Sequence, residues 1–139
     1  MTPAPHSVYY GMGKQCRYIS FAKKVAEQSD YGKFRHGAVL VKGNSVRNVS
    51  CNKHRHCNFG TRFRENNTGI PTLHAELGAI LGMDRSVTQG ATIYVVRINR
   101  EGAPRMSKPC PMCESALKHV GVKRVVYTDR DGRIENMTL

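Results

Sequence analysis

The chain has 139 residues, of which 40% are hydrophobic and 23% are charged, and its formal net charge is +12. This length favours a single domain with its own core, and no apolar run approaches the roughly 20 residues of a membrane-spanning helix, which argues against an integral membrane protein. The positive charge fits an anionic partner, either a nucleotide phosphate or a nucleic acid, and fits a solvated basic surface equally well.

Cysteine usage and the N-terminal region bear on the cellular compartment. Five cysteines are an odd number, and two of them form a Cys-x-x-Cys pair, so thiol or metal chemistry is favoured over a disulfide framework. The basic N-terminal stretch contains a predicted helix, and we therefore interpret it as part of the fold and not as a transit peptide. We expect one domain over residues 1–139, with a short N-terminal extension at residues 1–14, in the cytoplasm.

The first half of the chain predicts a helix, a hairpin and a second helix. Apolar residues recur at helical spacing over residues 16–28, and HGAVLVKGNSVRNVSCN predicts two strands joined by a tight turn at Gly43-Asn44. Residues 53–71 are polar and predict a long loop. Thr72 is a candidate cap for a helix that runs to about Met83.

The second half alternates strands with a helix. ATIYVVRI predicts a strand, NREGAPRMSK a loop, and KRVVYT a further strand, with a last short one around Asp131-Gly132. Between them, Pro109 or Pro111 opens a third helix that Gly121 ends. This order predicts an α/β fold whose sheet is partly parallel.

Three side chains form a candidate metal site. Cys110 and Cys113 lie three residues apart at the start of the third helix, where free N–H groups and the helix dipole favour the thiolate. His74 lies near the start of the second helix. If the two helix starts converge, two thiolates and an imidazole can hold Zn²⁺ and leave a fourth position for water, as in catalytic zinc sites.

Glu76 lies two residues after His74 in an otherwise apolar stretch. Two residues along a helix correspond to a rotation of ~200°, so Glu76 is better placed beside the metal than on it. A carboxylate there can accept a proton from a zinc-activated water and return it later.

Two other metal arrangements remain open. The first is a closed structural zinc site on His74, Cys110 and Cys113, with Cys16, Cys51 or Cys57 as fourth ligand, although this leaves Glu76 without a role. The three residues could also bind no metal, with His74 as a core histidine beside two unrelated thiols. In addition, CNKHRHC suggests a second metal site, as opposed to a basic loop over the pocket mouth. Its candidate ligands are Cys51, His54, His56 and Cys57.

His-Ala-Glu at 74–76 followed by Pro-Cys-Pro-Met-Cys at 109–113 resembles the signature of the zinc-dependent cytidine and deoxycytidylate deaminase superfamily. The likeness covers roughly residues 15–135. It implies a three-layer α/β/α fold with a mixed sheet of about five strands and an N-terminal hairpin. It also implies a homo-oligomer, Zn²⁺ on the three ligands above, and Glu76 as the proton shuttle.

The resemblance also implies substrate contacts. Asn52 matches a residue that contacts the sugar, and the Ala75 N–H and the backbone near Lys108-Pro109 would contact the base. His36 stands where relatives usually have valine, so it either stacks on the substrate or caps a strand. The chain further departs from the pattern by an inserted loop at the active-site rim, with basic residues at Arg97, Arg100, Arg105 and Lys108.

The substrate stays open between two classes. One hypothesis is hydrolytic deamination of cytosine in dCMP, CMP, deoxycytidine or cytidine, with release of ammonia. The alternative is a base deaminase that acts on tRNA adenosine or on cytosine in single-stranded DNA or RNA, which the net charge of +12 would suit. A third hypothesis, a non-catalytic nucleic-acid-binding module with a structural zinc, does not explain Glu76.

Overall fold

The computed structural model describes residues 13–56, 59, 62–63 and 72–139, with the backbone alone at 55, 56 and 72. None of the helices in these ranges is long and apolar enough to cross a bilayer. The helices are α1 (Lys14–Ala26), α2 (Ala75–Ile80), α3 (Arg85–Thr88) and α4 (Pro111–His119). The strands are β1 (Arg35–Lys42), β2 (Ser45–Cys51), β3 (Lys53–His56), β4 (Thr72–Leu73), β5 (Thr92–Ile98), β6 (Pro104–Arg105), β7 (Arg124–Thr128) and β8 (Ile134–Thr138).

The main sheet is mixed, as predicted. Its strand order is β2-β1-β5-β7-β8, with β6 paired to the end of β5, and within the described ranges only the β5–β7 pair is parallel. Helix α4 is the crossover between these two parallel strands. The sheet has six strands where about five were predicted, because β6 lies in the predicted loop and its two residues are too few to show a pattern. Strands β3 and β4 form a separate two-stranded sheet.

Apolar side chains cover both faces of the main sheet and define three layers. Alternate residues of a strand point to opposite faces, so each central strand contributes to two cores. Helices α2 and α4 pack on one face and α1 on the other, which confirms the predicted α/β/α arrangement. The face toward α2 and α4 includes Ala38, Leu40, Ile93, Val95 and Val125, and the face toward α1 includes Val39, Val41, Tyr94, Val96 and Val126.

Two glycines allow helices to lie directly on strands. A Cβ atom at Gly37 would lie 2.2 Å from the carbonyl oxygen of Ala22, so α1 contacts the β1 backbone without an intervening side chain. A Cβ at Gly78 would lie 2.0 Å from Ser50 Oγ, which fixes α2 against β2 in the same way. This contact holds the start of α2 at a defined height above the sheet.

The hairpin turn and the helix boundaries test the sequence predictions. Gly43 and Asn44 have φ values of 63° and 64°, typical of a type I′ turn, so the predicted hairpin is confirmed. The cap assigned to Thr72 is wrong, because Thr72 belongs to β4 and His74 occupies the N-cap position of α2. Helix α2 also ends at Ile80 instead of Met83, because the backbone at the next residue is extended. Of the two candidate prolines, Pro111 is the one that opens α4.

Candidate active site

The three candidate metal ligands meet between two helix N-termini. His74 and Cys110 hold the N-cap positions of α2 and α4, and Cys113 lies in the first turn of α4. Because α2 and α4 pack against each other on one face of the sheet, the two starts converge. His74 Nδ1 lies 3.3 Å from Cys113 Sγ and 3.8 Å from Cys110 Sγ.

The donor set fits zinc. The three ligand atoms all lie within 4.8 Å of one another. A tetrahedral zinc ion with two thiolates and one imidazole requires ligand atoms roughly 3.5–3.8 Å apart. Among the residues that the structure describes, no further histidine, cysteine or carboxylate joins this group, so neither Cys16 nor Cys51 is a fourth ligand. Cys57, the other candidate, lies outside the described residues.

The electrostatics of the site favour a bound cation. A hydrogen bond from Cys113, helped by one from His74, lowers the pKa of Cys110 to about 4, so this sulfur is a thiolate at neutral pH. The hydrogen bond with Cys110 in turn raises the pKa of His74. A metal ion would replace the proton that His74 shares with the thiolate, since metal ligands must be deprotonated.

Glu76 is buried beside this group, with 4% of its surface exposed. Burial raises its pKa to about 7 before the charge of any metal ion is considered. A carboxyl group with a pKa near the working pH can both donate and accept a proton, which is the property expected of a proton shuttle.

A cavity of about 310 Å³ opens above these residues. This volume lies at the lower end of the range for small-molecule sites. Of the substrate contacts predicted from the sequence, His36, Asn52, Ala75 and Lys108 line the cavity; Pro109 is buried and is not among the lining residues. Among the residues that the structure describes, the lining consists of Tyr31, Phe34, His36, Asn52, His74, Ala75, Glu76, Lys108 and Cys110.

Two aromatic lining residues, Tyr31 and Phe34, were missed by the sequence reasoning. They lie in the connection between α1 and β1, where the sequence DYGKF before the strand has no periodic pattern that would point to a site. The two aromatic residues in front of the predicted strand were the available signal. Phe34 remains 50% exposed, so the cavity has a partly open aromatic wall.

The Asn52 side chain connects the cavity wall to two other segments. Its Oδ1 accepts hydrogen bonds from Ser29 Oγ (2.5 Å) and from the His36 backbone N–H (2.9 Å). Its Nδ2 donates to the carbonyl oxygen of Phe34 at 2.7 Å, which uses one of its two N–H groups. Asn52 therefore shapes the cavity mouth, and its second N–H has no hydrogen-bond partner among the described residues.

His36 is neutral in this environment. Burial, which outweighs a hydrogen bond to the Phe34 carbonyl and is helped by the nearby Arg97 guanidinium, lowers the pKa of its imidazole to about 4. It lines the cavity and is the second residue of β1. Its two predicted roles, stacking on the substrate and capping the strand, both stay predictions.

The second metal site stays a prediction, because Cys57 and the side chain of His56 lie outside the described residues. Cys51 is buried in the core that faces α1. His54 is exposed, stacks on Tyr31 with ring centroids 3.9 Å apart, and lies 3.8 Å from Asp30.

Comparison with known proteins agrees with this geometry. The family model for the cytidine and deoxycytidylate deaminase zinc-binding region matches residues 12–129. The deoxycytidylate deaminase of Mycobacterium phage D29 is 29% identical over 125 residues, which cover 79% of this chain and 90% of the phage protein.

Solved structures share the fold. The dCMP deaminase of cyanophage S-TIM5 superposes with a TM-score of 0.58 at 23% identity, over 83% of this chain and 82% of the phage protein. The cytidine deaminase of Burkholderia pseudomallei superposes with a TM-score of 0.59 at 23% identity, over 86% of this chain and 88% of the Burkholderia protein. The chain therefore belongs to the cytidine and deoxycytidylate deaminase family and is a hydrolytic deaminase with Zn²⁺ as its cofactor.

Proposed function

We propose that the chain deaminates the cytosine of a small nucleotide or nucleoside (dCMP, CMP, deoxycytidine or cytidine), converting it with one water molecule into the uracil form and ammonia. The observation that carries this proposal is the burial of Glu76 beside three converging metal ligands on the wall of one cavity. Among similar proteins, the phage D29 relative is a deoxycytidylate deaminase, and the S-TIM5 enzyme has been solved with dCMP and dUMP.

In this proposal His74, Cys110 and Cys113 hold the metal. Zinc in such a site supplies a water molecule whose pKa is lowered toward neutrality. The protein's own contribution is to present two sulfurs and one ring nitrogen already within bonding range of one ion. The helix N-termini at both ligand segments support the charge on the thiolates.

Glu76 moves the protons. Burial raises the pKa of its carboxyl group to about 7 in the absence of a metal ion, which makes it a readier proton acceptor than an exposed carboxylate. It accepts one proton from the attacking water and delivers it to N3 of the cytosine ring. The second proton of the same water, carried by the hydroxyl now bonded to C4, then passes through Glu76 to the amino nitrogen; the C4–N bond breaks, ammonia leaves and the C4 oxygen becomes the carbonyl of uracil. Burial keeps bulk water from competing for these protons.

The remaining lining residues orient the substrate. We assign the free N–H of Asn52 to a sugar hydroxyl, and the backbone at Ala75 and Lys108 to the polar edge of the base. His36, as a neutral ring, provides a flat wall that does not repel the basic side chains around it. A cytoplasmic location, expected from the sequence, and a homo-oligomer, expected from the resemblance, stay predictions.

A polynucleotide substrate is the second candidate, and the observation in its favour is the net charge of +12. Single-stranded nucleic acids commonly stack their bases on exposed aromatic faces, and two of the aromatic residues do not favour this mode. Phe59 and Phe63 pack against the core that contains α2 and α4, with the Arg62 guanidinium 5.8 Å from each ring centroid. Their faces are thus partly occupied.

The test is ammonia release by zinc-loaded protein from dCMP, CMP, deoxycytidine, cytidine, tRNA and single-stranded DNA, with Glu76→Ala as the negative control. We expect turnover of at least one small cytosine substrate and none by the variant. Turnover confined to tRNA or single-stranded DNA would replace the first candidate by the second. Wild-type activity in Glu76→Ala would contradict the role of Glu76.

A further inference from the structure

A row of basic residues crosses the sheet next to the cavity. His36 of β1 is directly opposite Arg97 of β5, and Arg97 is directly opposite Arg105 of β6. Directly opposed residues of antiparallel strands project from the same face of a sheet. Arg97 alternates with Val95 and Ile93, which face α2 and α4, so the row lies on the same face as the active site. His36, at one end of the row, lines the cavity itself.

The cationic groups of this row have no anionic partner in the described part of the chain. The ion pairs there are His54–Asp30 and Lys118–Glu114, and neither involves an arginine of the row. The Arg97 guanidinium carbon lies 4.5 Å from the centroid of the Phe34 ring, which is part of the cavity wall. Arg97 Nε is buried without a hydrogen-bond partner among the described residues. An unpaired charge with an unused donor therefore lies against Phe34, behind this part of the cavity wall.

The arrangement is unfavourable unless an anion binds. Like charges directly opposite each other on neighbouring strands destabilise a sheet. The β5–β6 hairpin nevertheless holds Arg97 and Arg105 in this register through a tight turn, in which Asn99 N donates to Ala103 O at 3.0 Å. Arg105 is exposed, and its Nη1 donates to its neighbour's carbonyl oxygen at Pro104. An anion between the two guanidinium groups would remove the repulsion.

We propose that Arg97 and Arg105 form a phosphate site at the cavity mouth that binds the phosphate of the cytosine substrate. Guanidinium groups bind phosphate through paired N–H donors in a fixed plane, which suits two arginines at one site. Lys108, exposed and on the cavity wall, adds a third positive charge. The inference rests on the proposed function and narrows its substrate to a phosphorylated one, either a free nucleotide or a nucleotide within a strand.

The activity test compares substrates with and without phosphate. For zinc-loaded wild type, Arg97→Gln, Arg105→Gln and Arg100→Gln, kcat/KM is measured for dCMP and deoxycytidine at low ionic strength. We expect the ratio of dCMP to deoxycytidine to fall roughly 10- to 100-fold in the first two variants, the loss expected for one charge-assisted hydrogen-bonding group. Arg100→Gln removes the same charge from the turn outside the row and should keep the wild-type ratio.

A binding test does not depend on turnover. Inorganic phosphate should raise the thermal midpoint of wild type and of Arg100→Gln, and should raise it much less in Arg105→Gln, whose exposed side chain is removed without loss of packing. A single-stranded oligodeoxycytidylate is titrated in parallel. If the two variants weaken binding of this strand but keep the dCMP ratio, the bound phosphate belongs to a polynucleotide. If they change neither, the phosphate site is refuted.

The two proposals fail in different ways. Absence of ammonia from every cytosine substrate with wild type would refute the proposed function, while the response to inorganic phosphate would still show whether the arginine pair binds it. The arginine site alone would be refuted by a second pattern. In it wild type deaminates normally, and both variants keep the wild-type ratio of kcat/KM for dCMP to that for deoxycytidine and the full rise in thermal midpoint with inorganic phosphate.

Discussion

Replacing Ser107 by alanine should destabilise the whole molecule through the segment that leads to the metal site. Ser107 is 2% exposed and lies between the ends of the parallel strands β5 and β7. Its Oγ donates to the carbonyl oxygen of Val95 at 2.8 Å and accepts a hydrogen bond from the backbone N–H of Thr128 at 2.8 Å. These bonds anchor the chain three residues before Cys110.

The structure sets the size of the effect. In Ser107→Ala the Val95 carbonyl and the Thr128 N–H lose a partner in a place that water does not reach. Each unsatisfied buried group costs about 1–3 kcal/mol, so the free energy of unfolding should fall by about 2–6 kcal/mol. This is a large part of the roughly 5–15 kcal/mol that stabilises an ordinary domain.

Urea denaturation of the zinc-loaded protein, followed by circular dichroism, measures this loss. Ser45→Ala is the matched control, because Ser45 is exposed in β2 and its replacement should change stability by less than about 0.5 kcal/mol. Ser107→Ala should also bind zinc more weakly than wild type, because the segment that carries Cys110 is less well held. If Ser107→Ala unfolds within about 0.5 kcal/mol of wild type, the reasoning about unsatisfied groups at this site is wrong.

Further predictions concern the site and its support. Glu76→Gln should retain a full equivalent of zinc by elemental analysis and lose ammonia release by at least about 100-fold, because an amide cannot carry the proton. In chelator-stripped protein, burial raises the pKa of Glu76 from 4.5 to about 7, so wild type loses stability as pH rises through this window. In Glu76→Gln this loss of stability should disappear. The measurement is the urea midpoint at pH 5 and at pH 8.5, and a difference between the two midpoints as large as in wild type would contradict the raised pKa of Glu76. Cys113→Ala should weaken zinc binding by more than roughly 100-fold in competition with a chelator, since a direct ligand matters more than an outer-shell one. Gly37→Ala should lower the free energy of unfolding, measured in urea, by about 1–3 kcal/mol, because the added Cβ meets the α1 backbone. Gly32→Ala is the control, because a Cβ there meets no atom within 4 Å and should leave the free energy of unfolding unchanged.

The sequence was informative where a pattern is local or a motif is specific. The Gly43-Asn44 turn and the β-branched strands follow from neighbouring residues, so the hairpin and β5 were predictable. The convergence of His74 with Cys110 was predictable from paired motifs at helix starts. For the hairpin and β5 the physical cause lies within a few residues of the signal, whereas the meeting of His74 with Cys110 was expected from the resemblance that the paired motifs carry.

What the sequence did not reveal depends on contacts between distant segments. Thr72 has the side chain of a helix cap, but pairing of β4 with β3 takes it into a strand, and His74 begins the helix instead. Strand β6 exists only because β5 offers it an edge. The aromatic wall at Tyr31 and Phe34 follows from how the connection between α1 and β1 folds across the sheet end, for which no periodicity exists.

The hydrogen bonds of Asn52 have a consequence for molecular discrimination. One amide ties Ser29, Phe34 and His36 together before any ligand arrives, so the entropy of ordering this rim is lost during folding and not during binding. If the rim were loosened, every ligand would have to order it on binding, and the affinity for each would fall by the same factor. Replacement of Asn52 should therefore raise KM for every ligand that enters the cavity, including ligands without a sugar hydroxyl that its N–H could contact.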